Sequence, residues 1–293
     1  MRILVGTLYT IENEFEECCA SIKNQTYCNV EHVVIQGLPN KEAHDTLYRT
    51  FEQRAAEFDI MIKVDADMVI ENRYLFEKIV SRFEADPQLS WLCLQVHDFY
   101  CNRLIWGLNI FRNTIRWLYR GEELFVDHNV DPASVTKRQL NDPELTPAAI
   151  HSKNPGPFQA FHFGFHRGQK CVQPGRIYAK REVLQWKLFR DVLVHYRATG
   201  DVRLAYALAG FEQALTGRHD DTIVSFENSF LRDLFEAEFA RMTAGDLQRY
   251  IGKKQRQRMA ALPYPLDFCV AYGLQRLLAL IAAPRKGAGQ FLS

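Results

Sequence analysis

Thirteen consecutive residues constrain this chain more than any others: Phe58-Asp59-Ile60-Met61-Ile62-Lys63-Val64-Asp65-Ala66-Asp67-Met68-Val69-Ile70. An apolar, largely β-branched run leads straight into two carboxylates one residue apart. The run is nearly continuously apolar rather than alternating, which predicts a strand buried on both faces within a parallel sheet. Ligands of open α/β sheets bind beyond the carboxyl ends of the strands, and that is where Asp65 and Asp67 fall. Two carboxylates around the small Ala66 offer hard oxygen ligands to Mg²⁺ or Mn²⁺, with substrate phosphates filling the remaining positions. The plain alternative is a solvated turn carrying two acids, but such a turn needs no buried strand in front of it.

The residues before this run repeat one pattern. Residues 2–7 form a short apolar strand ending at Gly6-Thr7. Residues 14–24 have helical spacing, with Phe15, Cys18, Cys19 and Ile22 on one face. Residues 31–36 read as a second strand, and residues 41–57 as a second helix carrying Ala43, Leu47, Phe51 and Ala55. Strand, helix, strand, helix, strand implies a parallel sheet with right-handed crossovers. With 293 residues, 47% of them hydrophobic and 24% charged, the chain can bury a sizeable core.

Several pieces carry a family resemblance: Ile3-Leu4-Val5-Gly6-Thr7, Cys19-Ala20-Ser21-Ile22-Lys23-Asn24-Gln25-Thr26-Tyr27, Val33-Val34-Ile35 and Lys63-Val64-Asp65-Ala66-Asp67. In this order and at these distances they resemble the nucleotide-binding half of a family 2-like glycosyltransferase with the GT-A fold. The resemblance covers about the first 70 residues and weakens towards Val172. It implies an α/β fold, a mostly parallel sheet flanked by helices. Residues 1–175 would form the GT-A domain, and residues 176–293 a helical carboxyl-terminal extension. It also implies a metal-dependent hexosyltransferase, inverting at the anomeric carbon. The donor would be a nucleotide-diphosphate sugar and the acceptor a saccharide or lipid-linked hydroxyl, in polysaccharide or glycoconjugate synthesis. By the same resemblance Thr7, Tyr9, Glu12 and Lys63 line the nucleotide-sugar pocket. Asp65 lies near the ribose or metal, and Asp67 binds the Mn²⁺ or Mg²⁺ that bridges the diphosphate. His151, ending a short strand before a Pro/Gly loop, completes the metal site. The family's acidic turn after the second strand is replaced here by Gln36-Gly37-Leu38-Pro39, so the base is left unnamed.

Downstream, residues 72–85 read as a helix stopped before Pro87, and residues 90–96 as a strand. Residues 103–117 read as a hairpin strand followed by a helix, and residues 124–126 as a short strand. The polar residues 132–147 read as a mobile loop over the site. An inverting transfer needs a general base. Asp98 and Asp127 both end short strands, and Asp127 is the candidate. On the helix of residues 157–172, Gln159, His162, His166 and Lys170 share one face, and Phe158, Phe161 and Phe165 another. The polar face would meet the diphosphate or an acceptor hydroxyl, which makes His162 and His166 candidate donor-binding residues.

From residue 176 onward only helical patterns occur. They fall at residues 181–199, 201–215, 225–242, 243–261 and 266–283. Lys253, Lys254, Arg256 and Arg258, beside a last helix rich in Leu, Ala and Ile, leave two readings open. One is a solvated face with a core or dimer helix. The other is peripheral contact with anionic lipid. The oligomeric state also stays open. A formal net charge of +1 gives no electrostatic argument for nucleic acid. Seven cysteines without a Cys-x-x-Cys predict reduced thiols in a cytoplasmic protein, in solution or at a membrane. The first residues read as a strand rather than a signal peptide, and no spanning helix is expected. Two other readings compete. A sugar nucleotidyltransferase would need a Gly-rich basic loop after the first strand, which Gly6-Thr7-Leu8-Tyr9-Thr10 lacks. A non-catalytic sugar- or partner-binding protein on a GT-A fold would have no need of Asp65, Asp67 and His151 together.

Overall fold

A computed structural model describes residues 1–119, 129–172, 179–216 and 229–260. The amino-terminal elements are β1 (Ile3–Tyr9), α1 (Phe15–Lys23), β2 (Val30–Gln36), α2 (Asn40–Gln53), β3 (Ile60–Lys63), β4 (Met68–Val69) and α3 (Leu75–Ala85). They are followed by β5 (Leu89–Asp98), β6 (Arg103–Arg112), β7 (Lys137–Leu140) and β8 (Ile150–His151). Five helices complete the described chain: α4 (Pro157–Val172), α5 (Ala179–Thr199), α6 (Val202–Thr216), α7 (Ser229–Glu238) and α8 (Ala244–Ala260). The expected strand at 124–126 and helix at 266–283 lie outside the described residues.

The eight strands form one mixed sheet in the order β2-β1-β3-β6-β5-β8-β4, with β7 beside β5. β1 pairs in parallel with both β2 and β3, as the strand–helix repeat predicts. The parallel run then stops. β6 lies antiparallel between β3 and β5, so the sheet is mixed rather than mostly parallel. The reason is local: β5 and β6 are joined by the short turn Phe99–Asn102, and a link that short can only make a hairpin. Asn102 turns the corner with φ 48°, a conformation asparagine tolerates. No helix follows β6, contrary to the expectation for residues 103–117. Nor are residues 132–147 one loose loop: β7 pairs in parallel with β5 on the sheet.

Strand alternation distributes the core over both faces. Ile3, Val5, Ile60 and Ile62 pack on α1 and α3, while Leu4 and Met61 pack on α2 and Trp117. Leu75, Phe76 and Ile79 of α3 are fully buried, each contributing roughly 1.5–3 kcal/mol. Ser21 and Gln25, part of the run that carried the resemblance, have a structural role here. Ser21 Oγ accepts from Ile70 N at 3.1 Å. Gln25 donates to the Asn72 carbonyl at 3.1 Å and accepts from Phe76 N at 3.2 Å. Both tie α1 to the chain that follows Asp67.

A second core joins α4 to α5, α6, α7 and α8. It takes in α4, which lies before the expected boundary at residue 175. α4 and α6 cross with their backbones touching: a Cβ on Gly164 would stand 1.8 Å from the Ala207 carbonyl oxygen, and one on Gly210 2.0 Å from that of Phe161. Glycine at both positions permits this approach. α4 also borders one pocket with the carboxyl ends of β1 and β3.

Candidate functional site

The chain leaves β3 at Val64, whose N–H still bonds the Gly6 carbonyl at 3.0 Å. It turns at Asp65–Asp67 and re-enters the sheet as β4. β8 then fits between β4 and β5, with Met68 opposite His151 on one side and Asp98 opposite His151 on the other. That register brings together three side chains far apart in sequence. His151 Nε2 stands 3.2 Å from Asp67 Oδ2, and His151 Nδ1 stands 2.7 Å from Asp98 Oδ1. Ser152, held at φ 51°, donates its N–H to the Asp67 carbonyl at 2.7 Å and its hydroxyl to Asp67 Oδ2 at 2.6 Å.

Asp98 is 0% exposed and also accepts the Cys101 N–H at 2.7 Å. Burial pulls its pKa up, but the bonds from His151 and Cys101 hold it below the ordinary carboxylate value. Burial likewise disfavours a charged His151. The Asp67 and Asp98 carboxylates outweigh it and carry the imidazole's pKa to about 9. His151 is thus an imidazolium between two carboxylates at neutral pH.

Asp67, His151 and Ser152 border a pocket of about 240 Å³ whose walls are the ends of β1 and β3, the start of α2, β8 and one face of α4. Tyr9, Glu12, Lys63, Asp65, Asp67, His151, His162 and His166 all border it. So do Gln159 and Lys170, which shared the predicted polar face of α4, while Phe161 and Phe165 point into the helical core. Tyr9 is braced by stacking on Phe15 at 3.7 Å between ring centres. Thr7 is placed differently. It is fully buried, with its hydroxyl 2.9 Å from His32 Nε2, and it does not border the pocket. Lys63 is buried with its ammonium 2.6 Å from Asp65 Oδ1. Asp65 is therefore turned towards Lys63, while Asp67 is turned towards His151. Asp127 lies outside the described residues. Asp98 sits wholly beneath His151, which suits it to orienting the imidazole and not to meeting an acceptor.

Two acids beside the pocket carry raised pKa values. Glu12 accepts the N–H groups of Thr10 and Ile11 at 2.8 and 3.1 Å. Burial still lifts its pKa to about 7, helped by the Asp67 charge. Glu14 is raised by burial too. It binds Asn154 N at 2.7 Å and Gln159 Nε2 at 2.9 Å, while Gln159 Oε1 accepts Asn13 N at 3.0 Å. This clasp fastens the loop after β1 to the start of α4. Sequence reasoning missed it, because Glu14 reads as an ordinary helix start. It missed the role of Asp98 as well, although the strand-end position had marked that residue as notable.

Among the described residues, no group of three or more His, Cys, Asp and Glu side chains converges as a metal-holding cluster. The donor set that does meet, the Asp67 carboxylate and the His151 imidazole, fits Mn²⁺ or Mg²⁺ when the cation displaces the Nε2 proton of His151 and phosphate oxygens supply further ligands. Asp98 on the other ring nitrogen is the partner that a metal-binding histidine ordinarily has. No helix among the described residues is long and apolar enough to cross a membrane.

No family model matches this chain, and no curated protein does. Among solved structures the chain is similar to A197 from STIV, at 13% identity and a TM-score of 0.30. The match covers 38% of this chain and 65% of that one, and at that score it bears on neither fold nor activity.

Proposed function

We propose that this chain is a metal-dependent glycosyltransferase of the GT-A type, moving a hexose from a nucleotide-diphosphate donor to a hydroxyl acceptor. The observation that carries the reading is the Asp67–His151–Asp98 arrangement at the carboxyl ends of a sheet. Asp67 and His151 would hold Mn²⁺ or Mg²⁺, which when bound neutralises charge developing on the leaving diphosphate. Asp98 accepts a hydrogen bond from the Nδ1–H and so presents Nε2 towards Asp67. Lys63 keeps Asp65 fixed beside the pocket. His162, His166 and Lys170 of α4 face the same space from the opposite wall and would meet the diphosphate. In the transfer, the acceptor oxygen bonds the anomeric carbon as the bond from that carbon to the diphosphate oxygen breaks. The bonding pair leaves with the diphosphate, and the acceptor proton passes to a carboxylate, for which Asp127 is the candidate.

A thermal-shift panel tests this reading. UDP, GDP, CDP and dTDP are added with and without Mn²⁺ to the wild type and to Asp67→Asn. A ligand that binds only the folded state raises the melting temperature, by about 2.7 kcal/mol of stability at a hundred times its Kd. The expected outcome is stabilisation by one nucleotide that requires Mn²⁺ and is lost in Asp67→Asn. No shift with any of the four sinks the proposal and favours a non-catalytic binding protein.

A further inference from the structure

A second cavity, of about 360 Å³, continues from the first past Asp65 and His151 and runs along β6 and β7. One irregularity builds its floor. Leu94 pairs with Leu108 but Gln95 pairs with Trp106, so Gly107 is an extra residue in β6. Such a bulge resets the two-residue alternation of a strand. Leu108 packs in the core beneath the sheet, and Ile105, three before it, packs against that core at the cavity's edge. Trp106 and Asn109, also three apart, both line the cavity. A Cβ on Gly107 would stand 2.7 Å from a Val96 methyl, so a larger residue would crowd the bulge. The consequence is an indole left 49% exposed beside the candidate site.

The chemistry of the walls is uneven. Arg138, Arg167 and Lys170 line the cavity, against the Lys63-paired Asp65 and the His151-capped end of the site. Arg138 is exposed on β7, and its guanidinium lies 3.6 Å above the Trp91 ring, with no ion-pair partner among the described residues. Trp91 is fixed in turn by donating to Asn109 at 3.0 Å. Stacking of this kind pre-orders the guanidinium and leaves its edge for a planar or tetrahedral anion. An indole face is a platform for the C–H face of a pyranose, while the Arg138 guanidinium selects an anion.

Resting on the proposed transferase activity, we infer that this second cavity is the acceptor site and that the acceptor is an anionic saccharide. A sugar ring stacks on Trp106, and a carboxylate or phosphate on that saccharide is held by Arg138.

Calorimetric titration tests the inference without a donor. The probes are digalacturonic acid, maltose 6′-phosphate and neutral maltose, which separate carboxylate, phosphate and uncharged sugar. The proteins are wild type, Arg138→Ala, Trp106→Ala and Trp106→Phe, all altered at exposed positions. The expected result is binding of at least one anionic disaccharide about tenfold or more tighter than maltose. Arg138→Ala should erase that preference, Trp106→Ala should weaken the anionic sugar by about tenfold or more, and Trp106→Phe should restore most of the loss. Maltose binding as tightly as both anions overturns the inference, as does no sugar binding at all. If this happens while one nucleotide still stabilises the protein with Mn²⁺, only the acceptor inference falls. If no nucleotide binds yet an anionic sugar does, the transferase reading falls and takes the acceptor role with it.

Discussion

On the sheet side of the pocket, three carboxylates have partners: strand register delivers His151 to Asp67 and Asp98, and Lys63, two residues back along the same segment, meets Asp65. On the helical side, α4 meets α6 by bare contact, with Gly164 and Gly210 letting two backbones touch. The first wall is specified by pairing between residues that differ in charge, the second by the absence of side chains. Loss of a partner in the first should disturb chemistry more than folding. Intrusion of an atom in the second should do the reverse.

The largest effect is expected from the helical side. Gly210→Val places a branched side chain where even a Cβ would lie 2.0 Å from a carbonyl oxygen. The helices must separate, at a cost of about 3 kcal/mol or more. Urea denaturation should show the midpoint falling steeply. An unchanged midpoint would mean that α4 is seated by something other than backbone contact.

On the sheet side, Asp98→Asn keeps the shape of the buried side chain but removes its charge. It should cost about 1–3 kcal/mol of stability. Its larger consequence is at the site, where His151 loses the carboxylate that orders it. Mn²⁺-dependent nucleotide binding should weaken by roughly 10–100-fold. Titration calorimetry with the nucleotide identified for the wild type measures it. If binding survives unchanged while stability falls, Asp98 is a core residue and the contrast between the two walls fails.

The two walls also differed in how far the sequence revealed them. The strand run into Asp65 and Asp67 was readable because burial on both faces leaves a continuous apolar signature. His151 was reached through the family resemblance. The polar face of α4 was readable from its 3.6-residue period. What escaped depends on pairing between distant segments. That β8 would insert between β4 and β5, placing Asp98 under His151, is a matter of register, which no local pattern encodes. The bulge at Gly107 is equally silent, since a lone glycine in a strand announces an irregularity but not which side chains it redirects. Thr7 shows the opposite error. It stands at the end of the apolar run, where a pocket residue belongs, yet alternation turns it inward to His32.

The smallest expected effect lies at the join between the walls, in the loop after β1. Glu12 holds its proton to about pH 7 in the folded protein, against an ordinary value of 4.5. Between those values the folded state binds a proton that the unfolded state has released, so stability falls as pH rises through the window. The contribution is fully present below the ordinary value and lost above about pH 7. Glu14, also raised, acts in the same direction and is left intact in Glu12→Gln, so the difference between wild type and variant isolates Glu12. Melting temperatures from acid to neutral pH should show wild type losing a few degrees relative to Glu12→Gln. The Asp67 charge contributes to the rise, so a cation held at Asp67 should lower the Glu12 pKa and move the loss to lower pH. Parallel curves for the two proteins would show that Glu12 is solvated and separate from the site. Diverging curves that Mn²⁺ leaves unmoved would show a buried acid with no electrical connection to Asp67. Divergence that Mn²⁺ shifts would join the loop of one wall to the charge of the other.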